Sequence, residues 1–232
     1  MSTDKRWTIA VLGGTGKEGK GLASRWAMAG FSVVIGSRSI DRAKETAADI
    51  NTAKPPAAVM GDDNFKAAQA ADIVVLSVPY SAHRETLETI KPVMPGRILV
   101  DVTVPLAPPK VTKIQMPPAG SAALEAREIL GDKAEIASAF QNISYEHLQG
   151  QGEIGCDVLV TGTSKETRAV ALELVAKVGL TGWDAGPLEN SMVAEGLTSI
   201  LIHVNKIYGS THAGIRITGV ANKNQPSQDF SK

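Results

Sequence analysis

Ile9-Ala10-Val11-Leu12-Gly13-Gly14-Thr15-Gly16-Lys17-Glu18-Gly19 is the stretch that decides the fold. An apolar run enters a glycine-dense turn, and the turn opens an amphipathic segment from Lys20 to Ala29. The order reads strand, tight loop, helix. Gly14-x-Gly16-x-x-Gly19 has the spacing of a dinucleotide-binding turn. Gly14 lets the chain leave the strand sharply, Gly16 leaves a pyrophosphate room against the backbone, and Gly19 lets helix and strand pack closely. The first N–H groups of the helix then face the phosphates. Such glycine spacing is common; the strand before it and the helix after it give it meaning.

Further strands and helices alternate at the expected intervals. Strands are predicted at Trp7–Leu12, Ser32–Ile35, Ala57–Met60, Asp72–Val78, Ile98–Val102 and Ala134–Ala139. The near-continuous apolar run at 72–78 suits a strand buried on both faces. Helices are predicted at about 17–29, 41–51, 82–90 and 121–130, with a brief one ending near Ala70 capped by Asp63 or Asn64. This alternation specifies an α/β class with a parallel sheet and right-handed crossovers. Pro105, Pro108, Pro109, Pro117 and Pro118 make 103–120 a long loop at the ligand-binding edge of the sheet.

A smaller unit follows. Residues 145–155 read as a loop, Asp157–Thr161 and Thr181–Ala185 as strands, and 164–177 as a helix. A longer helix, 188–208, carries an apolar stripe of Val193, Leu197, Ile200, Leu201 and Val204. The division expected is 1–143, 144–220 and a mobile polar tail, 221–232. The stripe is expected in a subunit contact or against the larger domain.

Composition excludes several classes. Acidic and basic residues balance at 24 each, which argues against a general nucleic-acid or membrane-surface binder. No apolar run reaches the ~20 residues needed to span a bilayer. The polar, charged start, Met1–Arg6, does not fit a signal peptide. One cysteine, Cys156, allows no intrachain disulfide and reads as a buried filler. A cytoplasmic protein is expected.

The end of the second strand selects the form of dinucleotide. An NAD site usually places Asp or Glu there. Here Gly36-Ser37-Arg38 ends the strand and Arg42 lies one turn into the next helix. A carboxylate repels a 2′-phosphate, whereas Arg pairs with it in a fork. NADP(H) is therefore expected, held at Ser37, Arg38 and Arg42. The nicotinamide should lie between Ser77-Val78-Pro79-Tyr80 and Asp101-Val102-Thr103-Val104-Pro105. Val78, Pro79 and Val104 are walls suited to hydride chemistry, where positioning outweighs acid–base help.

No catalytic constellation accompanies this site. His83, His147, His203 and His212 are scattered, without metal-ligand spacing. His147 is a candidate to face the substrate, His203 reads as a packed or interface residue, and Glu195 as helix surface or interface. Neither a metal site nor a catalytic side chain is expected.

Four motifs point further. They are 12–23 (LGGTGKEGKGLA), 36–38 (GSR), 184–190 (DAGPLEN) and 213–219 (AGIRITG). Together they resemble the NADPH-dependent reductases of coenzyme F420, over about residues 7–220; the last two motifs are the more specific. The resemblance implies a Rossmann-type doubly wound parallel sheet with a small C-terminal α+β domain, assembled as a homodimer. It implies hydride transfer between NADP(H) and F420, with small molecules as partners. It places the phosphates on Thr15, Gly16, Lys17 and Glu18, and the nicotinamide near Val78, Val104 and Tyr145. One departure stands out. Gln141 occupies the place where the family commonly has a His beside the deazaflavin, in the run leading to Ile143. Gln donates a hydrogen bond but cannot become cationic. Gln141, Ile143 and His147 are the expected substrate-facing residues. Two other readings share the cofactor site: an NADPH-dependent reductase of a carbonyl or imine, and a nicotinamide-binding module without turnover.

Overall fold

The computed structural model describes residues 7–150 and 154–220. The expected tail therefore lies outside the described residues. The elements are β1 (Thr8–Leu12), α1 (Lys17–Met28), β2 (Ser32–Ser37), α2 (Ile40–Asn51), β3 (Met60–Asp63), α3 (Asn64–Ala70), β4 (Ile73–Leu76) and α4 (His83–Ile90). They continue as β5 (Ile98–Asp101), α5 (Ala122–Leu130), β6 (Glu135–Ser138), α6 (Tyr145–Gln149), β7 (Asp157–Gly162), α7 (Lys165–Lys177), β8 (Thr181–Pro187) and α8 (Ser191–Tyr208).

Among the described residues the eight strands form one sheet in the order β3-β2-β1-β4-β5-β6-β7-β8. Every pairing is parallel except that of β6 with β7. The order reverses between β1 and β4, the switch point at which doubly wound sheets bind ligands. The inner strands carry apolar residues on both faces, because helices cover both. One core joins Ile9, Val11, Trp26, Phe140, Val158 and Leu174; the other joins Leu12, Leu76, Leu87, Leu99 and Ile136.

The sheet does not stop at residue 143. Strands β7 and β8 extend it, so the C-terminal α+β segment shares the sheet with the nucleotide-binding half. Trp26 stitches the two together: it is fully buried, its Nε1 donates to Leu174 O at 3.0 Å, and its ring meets Phe140 edge-on at 5.8 Å.

Some boundaries differ from expectation for local reasons. Strand β3 starts at Met60 because the Asn51 side chain bonds both backbone groups of Val59, at 2.9 Å each, taking them from the ladder. The expected loop after Ser144 begins as α6, which Arg25 holds by donating to the carbonyls of His147, Leu148 and Gly150. Asp63 caps α3, one of the two residues expected there, and Ser39 and Ser164 cap α2 and α7; each side chain accepts a first-turn N–H. Among the described residues no helix is long and apolar enough to cross a membrane.

Glu195 is not on the helix surface. It is fully buried, and its carboxyl accepts Ala122 N at 2.7 Å and Ala123 N at 3.1 Å in the first turn of α5. Burial and the charge of Asp101 push its pKa up to about 8, against those two N–H bonds. His203, by contrast, is exposed. On the same helix Leu201 is buried, but Val193 is 71% and Ile200 49% exposed.

Replacing Trp26 by Ala should cost about 3–5 kcal/mol, the usual penalty for emptying a fully buried aromatic site. Urea melts of the variant should keep a single transition, since α1 and α7 cover one sheet; two transitions would show separable halves. Glu195 gives a pH signature. Its folded-state pKa is raised, so the folded protein holds more protons than the unfolded chain between the two pKa values. Stability should fall as pH rises through about 5 to 8. The Tm of the wild-type protein should therefore drop relative to Glu195→Gln over that range, by about 2–4 °C for each kcal/mol lost. A pH-independent difference would contradict the assignment.

Candidate functional site

The glycine turn sits at the C-terminal end of β1. Its left-handed residue is Gly13 (φ +76°), not Gly14. A Cβ on Gly13 would stand 2.3 Å from Ser77 O, so the turn packs backbone to backbone against the end of β4. Gly19 packs against the turn rather than the strand: a Cβ there would meet Gly13 O at 2.8 Å. Gly16 precedes α1, and no side chain caps that helix. The first-turn N–H groups of α1 have no acceptor within the helix, which leaves a positive pole at the turn.

A cavity of about 410 Å³ lies over this turn. Gly13, Thr15 and Gly16 floor it, Ser37, Arg38 and Arg42 rim one end, and Ser77, Val78 and Pro79 wall the other. A smaller cavity of about 210 Å³ shares Ser37, Arg38 and Asn64. Among the described residues neither Arg38 nor Arg42 has a carboxylate within ion-pair distance. Ser37 Oγ accepts Ser39 N at 3.2 Å, which tightens the turn into α2. The structure thus gathers separate stretches around one cavity: a helix pole with no side chain over it, a cationic rim and a small apolar wall. Such a site can hold a phosphorylated dinucleotide extended across the switch point.

Other expected residues stand elsewhere. Lys17 and Tyr145 pair with one another beside the turn, with Nζ 4.6 Å from the ring centre and 3.3 Å from the hydroxyl. Glu18 is half-buried beside the turn, and desolvation pushes its carboxyl up to about 8. Val104 and Tyr145 do not line the cavity. Gln141 does not face a cleft: it is 4% exposed, and its Nε2 donates to Asp101 O at 2.7 Å and Ser138 Oγ at 2.8 Å. Its side chain ties the ends of β5 and β6. Ile143 is 5% exposed and belongs to the core below α1. His147 is partly exposed on α6; its Nε2 lies 3.0 Å from His212 O and its ring meets His212 edge-on.

The sequence reading missed Asn64, Ala82 and Thr86 on the cavity wall. It also missed a buried pair. His83 and Asp101 are fully buried, with Nε2 2.7 Å from Oδ2. Burial disfavours the imidazolium, but the charge of Asp101 and the hydrogen bond outweigh it and raise the pKa of His83. A cue existed: His83 shares the i, i+4, i+7 spacing of Leu87 and Ile90, the buried face of α4. Nearby, Glu125 accepts Tyr80 OH at 2.6 Å and Arg84 at 2.8 Å. Burial and the Glu125 bond keep the Tyr80 phenol protonated.

Comparison with known proteins agrees with this geometry. Residues 8–105 match the family described as NADP oxidoreductase, coenzyme F420-dependent. The F420-dependent NADP reductase of Methanocaldococcus jannaschii is 36% identical over 221 residues, covering 91% of this chain and 98% of the relative. That of Methanothermobacter marburgensis is 38% identical with the same coverage. In fold, a hypothetical protein of Sinorhizobium meliloti superposes with a TM-score of 0.65 at 20% identity, over 84% of this chain and 88% of that one. With over a third of its positions shared along nearly the whole length of the two reductases, the chain belongs to the F420-dependent NADP reductase family.

Proposed function

We propose that this protein transfers a hydride between NADP(H) and coenzyme F420. The F420 half rests on the two long matches to F420-dependent NADP reductases. The NADP half rests on one observation, the unpaired Arg38 and Arg42 guanidiniums beside Ser37 on the cavity rim. These three groups hold the 2′-phosphate. The open pole of α1, with Thr15 and Gly16, holds the diphosphate, and Lys17 and Glu18 border it. Val78 and Pro79 place the nicotinamide. The chemistry the two bound rings supply is hydride transfer, with a solvent proton completing reduction of the deazaflavin. The protein's task is to bind, orient and exclude water, so no side chain needs to act as acid or base. No observation favours a carbonyl or imine substrate over F420.

Residues 144–220 serve the second substrate and the subunit contact. The exposed Val193 and Ile200 on α8 suit a homodimer, which covers apolar surface that would otherwise meet water. The compartment is the cytoplasm.

Purified protein mixed with NADPH and oxidised F420 should bleach the deazaflavin absorbance. Failure to bleach, with NADPH still bound, would reject F420 as the acceptor. Arg38→Ala should weaken NADPH by about 1.5–3 kcal/mol, the scale of a charge-assisted bond, and leave NADH nearly unchanged. Equal weakening of both by titration would remove Arg38 from the phosphate site. Val193→Asp combined with Ile200→Asp should convert a dimer to a monomer in sedimentation; an unchanged assembly would move the contact elsewhere.

A further inference from the structure

The buried His83–Asp101 pair joins the two loops that leave the C-terminal edge of β4 and β5. Asp101 is the last residue of β5, in register with Leu76, the last of β4. Ser77, Val78 and Pro79 follow Leu76 and wall the cavity; a turn at 80–82 then leads to His83, the first residue of α4. One Asp101 oxygen takes His83 Nε2 at 2.7 Å, and the other accepts Thr103 N at 2.9 Å. Gln141 bonds the Asp101 carbonyl, and Val102 N bonds Leu76 O at 3.0 Å. The cavity wall at 77–79 is thus fastened at both ends, by the strand ladder at Leu76 and by the carboxylate at His83.

The arrangement is costly for a merely structural tie. Both side chains are fully buried, and a buried ion pair is seldom more stable than an apolar replacement. Among the described residues, three buried polar atoms around Asp101 also have no hydrogen-bond partner: His83 Nδ1, Thr103 Oγ1 and Gln141 Oε1. Leu at position 83 would suit the buried face of α4, yet the chain keeps a polar group there.

Resting on the assignment of the cavity to NADP(H), we propose that His83 is a positioning residue for hydride transfer. Its bond to Asp101 fixes the Ser77–Pro79 wall, and through it the nicotinamide ring, without touching the cofactor. The adenosine end is anchored at Ser37, Arg38 and Arg42, on other elements. Loosening the wall therefore misplaces the ring while leaving most of the binding energy intact.

The test compares His83→Leu, which lacks the bond, with His83→Gln, whose amide Nε2 can still donate to Asp101. Asp101→Asn, which turns the charged bond into a neutral one, serves if the Leu variant does not fold. Per folded molecule, His83→Leu should lower kcat by about 10–100-fold, the scale of a 1 Å misplacement, with KM for NADPH within about two-fold. Asp101→Asn should fall in the same direction, and His83→Gln should recover most of the loss. The fluorescence of bound NADPH, read without F420, gives an independent measure. It should change in His83→Leu at unchanged Kd. Unaltered kcat and emission in the disrupting variants would overturn the proposal, as would a Gln variant as impaired as the Leu one. Wild-type protein that binds NADPH but does not bleach F420 would reject the F420 reading alone. The emission comparison would then decide the role of His83.

Discussion

The site depends on how closely two backbone segments meet at the top of β1 and β4. A side-chain carbon on Gly13 would lie 2.3 Å from Ser77 O, well inside contact distance. Because that carbon is absent, the turn after β1 lies directly against the start of the 77–79 wall, and one cavity spans both. The helix pole of α1 and the apolar wall then face a common space. Had the turn stood further off, the pole and the wall would border separate hollows. Gly13 also needs its left-handed backbone, so no other residue fills the position without strain.

A second constraint is the handling of buried charge at the same edge of the sheet. Asp101 ends β5, Glu125 lies on α5 and Glu195 on α8, and both oxygens of each accept a hydrogen bond. Asp101 meets an imidazole, Glu125 a phenol and a guanidinium, and Glu195 the N-terminal pole of α5. Each carboxyl joins elements far apart in sequence. Removing one partner leaves an uncompensated polar group in low dielectric, which costs more than the bond contributed. The edge that borders the cavity is therefore held by polar bonds with specific geometry.

The nucleotide-binding half was legible because its signals are local. The run 9–19, the apolar strands and the caps at Ser39, Asp63 and Ser164 depend on residues a few positions apart. The cationic rim was legible for the same reason, since Ser37, Arg38 and Arg42 span one turn. What escaped depends on partners 18 to 128 positions away. Glu195 reads as helix surface or interface because nothing in its neighbourhood names the N–H groups of Ala122 and Ala123 as its donors. Gln141 and Ile143 were placed by family position, and the fold turns both inward at the end of β6. The 145–155 stretch read as loop because the stabilisation of α6 comes from Arg25, over a hundred residues earlier. The C-terminal strands were read correctly as strands, but sequence gives no sign that β7 runs antiparallel beside β6 and so joins the first sheet.

Charge selection closes the physical account. The chain carries no net charge, so no long-range field gathers anionic ligands, and discrimination must be local. Among the described residues, Arg38 and Arg42 have no carboxylate partner on the rim, while the nearby Asp63 caps α3 by accepting Lys66 N. Beside the glycine turn the half-buried acid Glu18 has its pKa raised to about 8 by desolvation. On the proposed assignment, a dinucleotide with a 2′-phosphate gains at the rim a pairing that its unphosphorylated counterpart lacks. Selectivity on that assignment comes from the adenosine end, which leaves the wall at 77–79 to be shaped for geometry.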